Sequence, residues 1–335
     1  MQDSPSPRDH GGNLDAALHR HGGARADWVD LSTGINPTPY PLPALPPSSW
    51  ASLPTRSDLG RLGDAAKRAY DTSAAVVPFG GAQGAIQAIP WLRPPGHARV
   101  LGPTYNEHDA TLRFAGWQVE TVTDIAALGG CDLAVVVTPN NPDGQTHQAQ
   151  DLLDLSTQVG LLVVDESFAD PDPAQSLAPR LGAGPGGTSS AVIVLRSFGK
   201  FYGLAGVRLG FALARGPIVE RLRGLAGPWP VSGPAIEIGI AALQDTGWQA
   251  ATRARLHQDA ARLDSLASEA GWRLVGGTPL FRTYATPQAE TVQTKLAEHR
   301  IWSRSFPYSH TWLRLGLPPQ DRWPQIERAM TALAC

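Results

Sequence analysis

The chain has 335 residues, with 28 Lys plus Arg against 30 Asp plus Glu and a formal net charge of −2. That length suffices for one large or two ordinary domains with a sizeable core. Near-neutrality without a basic stripe or a block of like charge excludes nucleic acid as an expected partner. The two cysteines, Cys131 and Cys335, lie far apart, with no CxxC pair and no histidine cluster at metal spacing. The expectation is a reducing, cytoplasmic setting and no bound metal. The N-terminal MQDSPSPRDHGG has no apolar core, and no apolar run reaches about 18 residues, so neither export nor membrane insertion is expected.

Residues 1–50 are expected to form an arm, its proline-rich 37–50 crossing the surface in polyproline-like form. From 51 to 225, short apolar runs alternate with helical patterns. Candidate strands are ARVLG (98–102), DLAVVVTP (132–139), LLVVDE (161–166), AVIVLRS (191–197) and LGFALA (209–214). Between them, GAQGAIQAIPWL (81–92), NEHDATLRFAG (106–116) and QDLLDLSTQVG (150–160) have helical spacing. Unbroken Val, Leu and Ile runs suit strands buried on both faces, and the alternation predicts an α/β domain with a mostly parallel sheet. From 226 to 335 the pattern changes to a smaller α+β domain. It has a long helical stretch (234–270), the strands WRLVGG and PLFRTYAT, and a helix over 289–299. A strand pair around IWSRSF and WLRLGL and a last helix over 321–333 follow.

Lysine occurs only at 67, 200 and 295. Lys67 and Lys295 lie among charged and small residues, as solvated helix faces do. Lys200 sits in LRSFGKFYGLAGVRLGF (195–211), without polar company on either side. Arginine stays charged, whereas a desolvated lysine gives up its proton and can form a Schiff base. Ligands of α/β sheets bind beyond the carboxyl ends of the strands, where Tyr105, Asn141, Asp165 and Ser197 fall. Gly80-Gly81-Ala82-Gln83-Gly84 precedes a helix, where backbone N–H groups can approach an anion. Each feature alone has an ordinary explanation: a tight turn, a helix cap, turn chemistry or packing against the sheet. Arg208 and Arg314 have neighbours too apolar for ordinary surface arginines. Together the residues offer a phosphate cradle, an aromatic ring, an amide, a carboxylate, an amine and a guanidinium. That set suits a pyridine aldehyde phosphate.

In this order and spacing GGAQGAI, PTYNEH, TPNNPDG, VVDESF and SFGK, with Arg208 eight residues on, mark a resemblance that covers nearly the whole chain. The chain resembles the fold-type-I pyridoxal-phosphate enzymes of the aspartate aminotransferase superfamily. The resemblance implies pyridoxal 5′-phosphate as cofactor and a homodimer. It implies Lys200 as the Schiff-base lysine, Asp165 as partner of the ring nitrogen, Tyr105 as the stacking ring and Asn141 as the amide near the ring hydroxyl. It further implies Gly81, Ala82, Gln83, Ser197 and Arg208 as the phosphate site, and Arg314, beside Asn141, as the grip on the substrate α-carboxylate. Three places depart from the pattern. Phe168 stands where a tyrosine usually bonds the cofactor hydroxyl, and Gly199 where serine often precedes the lysine. Leu53-Pro54 replaces the Tyr-Pro that reaches the neighbouring chain's cofactor phosphate.

The segments HGGNLDAALHRHG (10–22), DWVDLSTGINPTPYP (27–41), GPWPVSGPA (227–235), AALQDTGWQAAT (241–252) and RSFPYSHTWLRLGL (304–317) narrow the resemblance. They are similar to the threonine-phosphate decarboxylases of cobalamin synthesis. The expected substrate is then a small phosphorylated amino acid, L-threonine O-3-phosphate, and the expected products are (R)-1-amino-2-propanol O-2-phosphate and CO2. A histidinol-phosphate-type aminotransferase is the alternative, and a non-catalytic binding protein of the same fold a third reading. His10, Gly34, Asn36 and Arg304 are the candidates for gripping the substrate phosphate.

Overall fold

A computed structural model of the chain describes residues 10–181 and 192–334. Cys335, residue 191 of one expected strand and residues 1–9 of the expected arm lie outside them. The arm contributes one short strand, β1 (Val29–Asp30). Seven strands then form the large sheet: β2 (Ala75–Phe79), β3 (His97–Leu101), β4 (Gln118–Val122), β5 (Leu133–Val137), β6 (Leu162–Asp165), β7 (Val192–Ser197) and β8 (Gly210–Ala214). Their order is β2-β8-β7-β6-β5-β3-β4. β8 runs antiparallel to both its neighbours, and the other pairs are parallel. β5, β6 and β7 are buried along their whole length, which is why they read as unbroken apolar runs.

Two strands of this sheet escape the sequence reading, and both are edges. β4, QVETV, is mostly exposed and mixes polar with apolar residues. β2 carries Pro78, which only an edge strand accommodates readily. β4 lacks the signature of burial on two faces, and in β2, apolar and buried along most of its length, the proline argues against a strand. The helix Arg56–Ala69 was also not singled out, although Thr55 and Asp58 close a capping box at its start. The expected 234–270 stretch is two helices, Gly233–Gln244 and Thr246–Glu269, divided at Asp245, whose side chain accepts from the Trp248 N–H. The proline-rich segment ends earlier than expected, in a helical turn at Ser48–Ala51.

The C-terminal part holds β9 (Arg273–Thr278), β10 (Phe281–Ala285), β11 (Ile301–Trp302), β12 (Arg304–Phe306) and β13 (Ser309–Gly316). Four of these make an antiparallel sheet in the order β12-β13-β10-β9. β11 does not join it. It pairs in parallel with β1, Val29 opposite Ile301, so the expected strand IWSRSF is split and its first residues tether the arm. Among the described residues no helix is long and apolar enough to cross a membrane.

Strand alternation turns Arg196 to the face of the sheet opposite that of its neighbours Leu195 and Ser197. Arg196, 2% exposed, donates to Glu166 (2.8 Å) and Asp170 (2.6 Å) and lies 4.4 Å above the Tyr70 ring. Arg196→Met leaves two carboxylates buried without their cation. It is expected to cost about 3–5 kcal/mol of stability, measured by urea denaturation. A loss below about 1 kcal/mol would mean that the pair is dispensable.

Candidate active site

Two cavities, of about 140 Å³ and 270 Å³, open at the carboxyl ends of the parallel strands. They meet at a wall shared by Tyr105, Asn141, Phe168 and Lys200.

Lys200 lies in the helical turn Phe198–Phe201 that follows β7. Its carbonyl accepts from the Asn36 N–H at 3.0 Å, and its Nζ sits 5.5 Å from the Phe168 ring centre. Burial takes the amine from an ordinary 10.5 down to about 8. Arg314 and Arg208 push it the same way, and Asp165 pulls against them. Gly199 has no room for the serine that the resemblance would place there: a Cβ would come within 2.8 Å of the Ala205 Cα.

Asp165 ends β6 and is 2% exposed. Its Oδ1 accepts from the Ser167 N–H (2.9 Å) and hydroxyl (2.5 Å), and its Oδ2 lies 2.8 Å from His108 Nε2. Desolvation opposes the charge, but the bonds from His108 and Ser167 outweigh it and hold the carboxyl below its usual range. His108 was not singled out, though it stands inside PTYNEH. Its role depends on the helix Glu107–Phe114 turning the ring towards the end of β6.

The other wall of the first cavity is built around Tyr105 and a guanidinium. The Tyr105 hydroxyl donates to Gln83 Oε1 at 3.2 Å, Gln83 Nε2 donates to Glu107 at 2.7 Å, and His10 Nε2 lies 3.0 Å from Glu107. The Gln83 side chain is therefore committed to the Tyr105 wall. Ala82 and Gln83 open the helix Ala82–Ala88, whose first N–H groups have no acceptor within the helix. Arg208 has left-handed backbone (φ 56°, ψ 53°), and its guanidinium donates to the Ala205 (3.2 Å) and Gly80 (3.4 Å) carbonyls. Gly81, at φ 80°, makes space for it, since a Cβ there would lie 2.6 Å from Nη2. Ser197 lines the same cavity.

In the second cavity Arg314 is buried. It donates to the Ser32 carbonyl (2.6 Å) and to Asn141 Oδ1, and lies 5.1 Å from the Phe281 ring centre. Burial, with repulsion from Arg304, lowers its pKa to about 10. Arg304 stands opposite Arg314 across β12 and β13 and lines this cavity with His10, Gly34 and Tyr308. Gly34 lies against the Phe168–Phe281 pair, where a Cβ would come within 2.8 Å of Phe281. Asn36 is not brought to the cavity. Its amide donates to the Phe201 carbonyl (2.8 Å) and accepts from Arg255 (2.7 Å), fastening the arm to the Lys200 turn.

The sequence matches the family described as aminotransferase class I and II over residues 59–333. The chain belongs to that family. It is 41% identical over 321 residues to a protein of Sinorhizobium sp named threonine-phosphate decarboxylase, covering 94% of each. It is 40% identical over 330 residues to a protein of the same name from Pseudomonas aeruginosa, covering 96% of this chain and 97% of that one. The solved histidinol-phosphate aminotransferase of Sinorhizobium meliloti, in complex with pyridoxal-5′-phosphate, superposes with a TM-score of 0.81. At 20% identity over 100% of this chain and 98% of that one, it shares the fold.

For this family member the Lys200 environment has a measurable consequence. The neutral amine should predominate above about pH 8. Labelling of Lys200 in the cofactor-free chain by an amine-reactive ester, followed by mass spectrometry across pH, should show a midpoint near 8. A midpoint near the ordinary 10.5 would contradict the desolvated setting.

Proposed function

We propose that the chain is a pyridoxal-phosphate-dependent decarboxylase of L-threonine O-3-phosphate, yielding (R)-1-amino-2-propanol O-2-phosphate and CO2. The observation that carries this is the second cavity. It adjoins Lys200 and holds two arginines on facing strands, as an amino acid with a second anionic end requires. The two decarboxylase-named relatives, aligned over nearly the whole chain, favour the same reading. In this reading the chain comprises an arm (1–50), a cofactor-holding unit (51–225) and a small C-terminal unit (226–335).

The residues fit the cofactor. Asp165, kept ionised, suits a protonated ring nitrogen, and Tyr105 suits the ring face. Arg208, Gly81, Ser197 and the backbone of Ala82 and Gln83 suit the phosphate, and Lys200 the aldehyde. When bound, the cofactor supplies an electron sink for a bond broken at the substrate α-carbon.

The chain's own groups do the rest. Arg314 pairs with the α-carboxylate, while Asn141, bonded to Arg314 through its Oδ1, has its amide nitrogen left for the ring hydroxyl. Arg304, with His10 and the Gly34 backbone, takes the substrate phosphate. Held at both ends, the substrate can be fixed with its carboxylate bond, rather than its Cα–H bond, across the ring plane. As CO2 departs, Lys200 delivers a proton to the α-carbon.

A homodimer belongs to the same proposal. Trp50 (71%), Leu53 (64%) and Trp229 (56%) are highly exposed for such large apolar residues. Sedimentation at micromolar concentration should give twice the chain mass, and a monomer would refute it.

The deciding assay is incubation with threonine phosphate and no 2-oxo acid. Sustained CO2 release is expected with threonine phosphate and little with threonine or histidinol phosphate. An aminotransferase would release no CO2 and would stop after converting about one equivalent per site to the 2-oxo acid. Lys200→Ala should lose turnover by at least about 1000-fold and lose the borohydride-fixed cofactor adduct.

A further inference from the structure

One rung of the small sheet meets the active-site loop residue by residue. Gly276 on β9 stands opposite Thr283 on β10, Thr283 opposite Arg314 on β13, and Arg314 opposite Arg304 on β12. Directly opposed residues of antiparallel strands share a face. The rung therefore presents bare backbone, a hydroxyl and two guanidinium groups side by side. The loop after β5 answers in order. Asn141 accepts from Arg314, and the Pro142 carbonyl accepts from Thr283 Oγ1 at 2.5 Å. The Asp143 carbonyl lies so close to Gly276 that a Cβ there would overlap it. Gly144, at φ 71°, packs on the backbone of Gly277. From the other side Asn140 braces the loop, donating to Asp143 Oδ1 (2.8 Å) and the Pro103 carbonyl (3.1 Å). Thr283 is 0% exposed.

We infer that Thr283 is a positioning residue. Through the Pro142 carbonyl it sets the register of the loop against the small sheet, so that Asn141 meets Arg314 and keeps that guanidinium aimed into the second cavity. The catalytic meaning of this contact rests on the proposed function; the contact itself does not. Valine has nearly the shape of threonine but cannot donate, so Thr283→Val leaves a buried carbonyl without its donor. The loop can then slip along the rung, and what suffers is the aim of Arg314. A hydroxyl that merely satisfied its own burial would affect stability and leave substrate binding untouched.

The test uses Thr283→Val, Thr283→Ser and Gly276→Ala in the holoenzyme. It reads steady-state kinetics with threonine phosphate and hydrogen–deuterium exchange of the peptide spanning 140–147. Thr283→Val should raise KM about tenfold while kcat changes less than about threefold. It should also speed exchange across 140–147. Thr283→Ser, which keeps the donor, should stay within about twofold of wild type in KM and exchange. Gly276→Ala, which pushes on Asp143, should match the valine variant in both. Wild-type KM and exchange in Thr283→Val overturn the inference, as does a serine variant no better than valine. If Thr283→Val does not fold, an unchanged KM and exchange in Gly276→Ala overturn it. If the wild-type protein releases no CO2 from threonine phosphate, the functional reading fails while the exchange comparison still decides this one.

Discussion

Lys200 carries its amine at the end of β7 among groups that disfavour its charge. Burial acts first, the Arg314 and Arg208 guanidinium groups add to it, and Asp165 works in the opposite sense. The two arginines are also the groups best placed to meet anions, one at each end of the paired cavities. An anion placed on either one screens its repulsion of the lysine and makes the protonated amine easier to hold. Without such an anion the proton leaves the amine more readily, and with one it is held more firmly. One side chain can serve as nucleophile and as proton donor because its neighbours, rather than the amine itself, set its protonation.

This arrangement needs the small sheet docked, since Arg314 comes from β13. Docking combines side chains of the shared core with close backbone approaches. Gly276 and Gly277 admit the 142–144 loop, and Gly316 admits the Thr33 carbonyl. The arm is woven into the same contact. Its β1 pairs with β11, its Leu31 carbonyl accepts from the Gly316 N–H (2.7 Å), and its Asn36 binds the Lys200 turn. The arm, both sheets and the lysine therefore form one hydrogen-bonded unit around the second cavity.

The parts of this plan visible in the sequence are those whose signal is local. β5, β6 and β7 announce themselves because both faces are covered, and Asp165 and Lys200 stand out against the apolar runs they end. β4 stays hidden because it mixes exposed and buried positions, and β2 because Pro78 within its apolar run argues against a strand. His108, Ser32 and Thr283 stay hidden for another reason. Each acts through a partner far away in the chain: Ser32 meets Arg314 across 282 positions and Thr283 meets Pro142 across 141. No spacing rule reports such contacts. Asn36 shows the converse: a polar residue beside the site whose side chain is consumed by the Phe201 carbonyl, Thr38 and Arg255.

The rung also bears on how one fold can serve two reactions. An amino acid gripped only by its carboxylate keeps rotational freedom about the bond from nitrogen to the α-carbon, and either the Cα–H or the Cα–carboxylate bond can stand across the ring plane. Two guanidinium groups at a fixed separation on facing strands remove that freedom for a substrate with a phosphate at its far end. The choice of bond then follows from where Arg304 and Arg314 sit relative to the ring, not from any change in the lysine or the aspartate. Both arginines belong to the rung that Thr283 registers against the Asn141 loop, so one docked frame holds the two anion grips. In the proposed enzyme, selectivity between bond types is accordingly a property of how the sheets are docked, while the capacity to break either bond resides at the ends of β6 and β7.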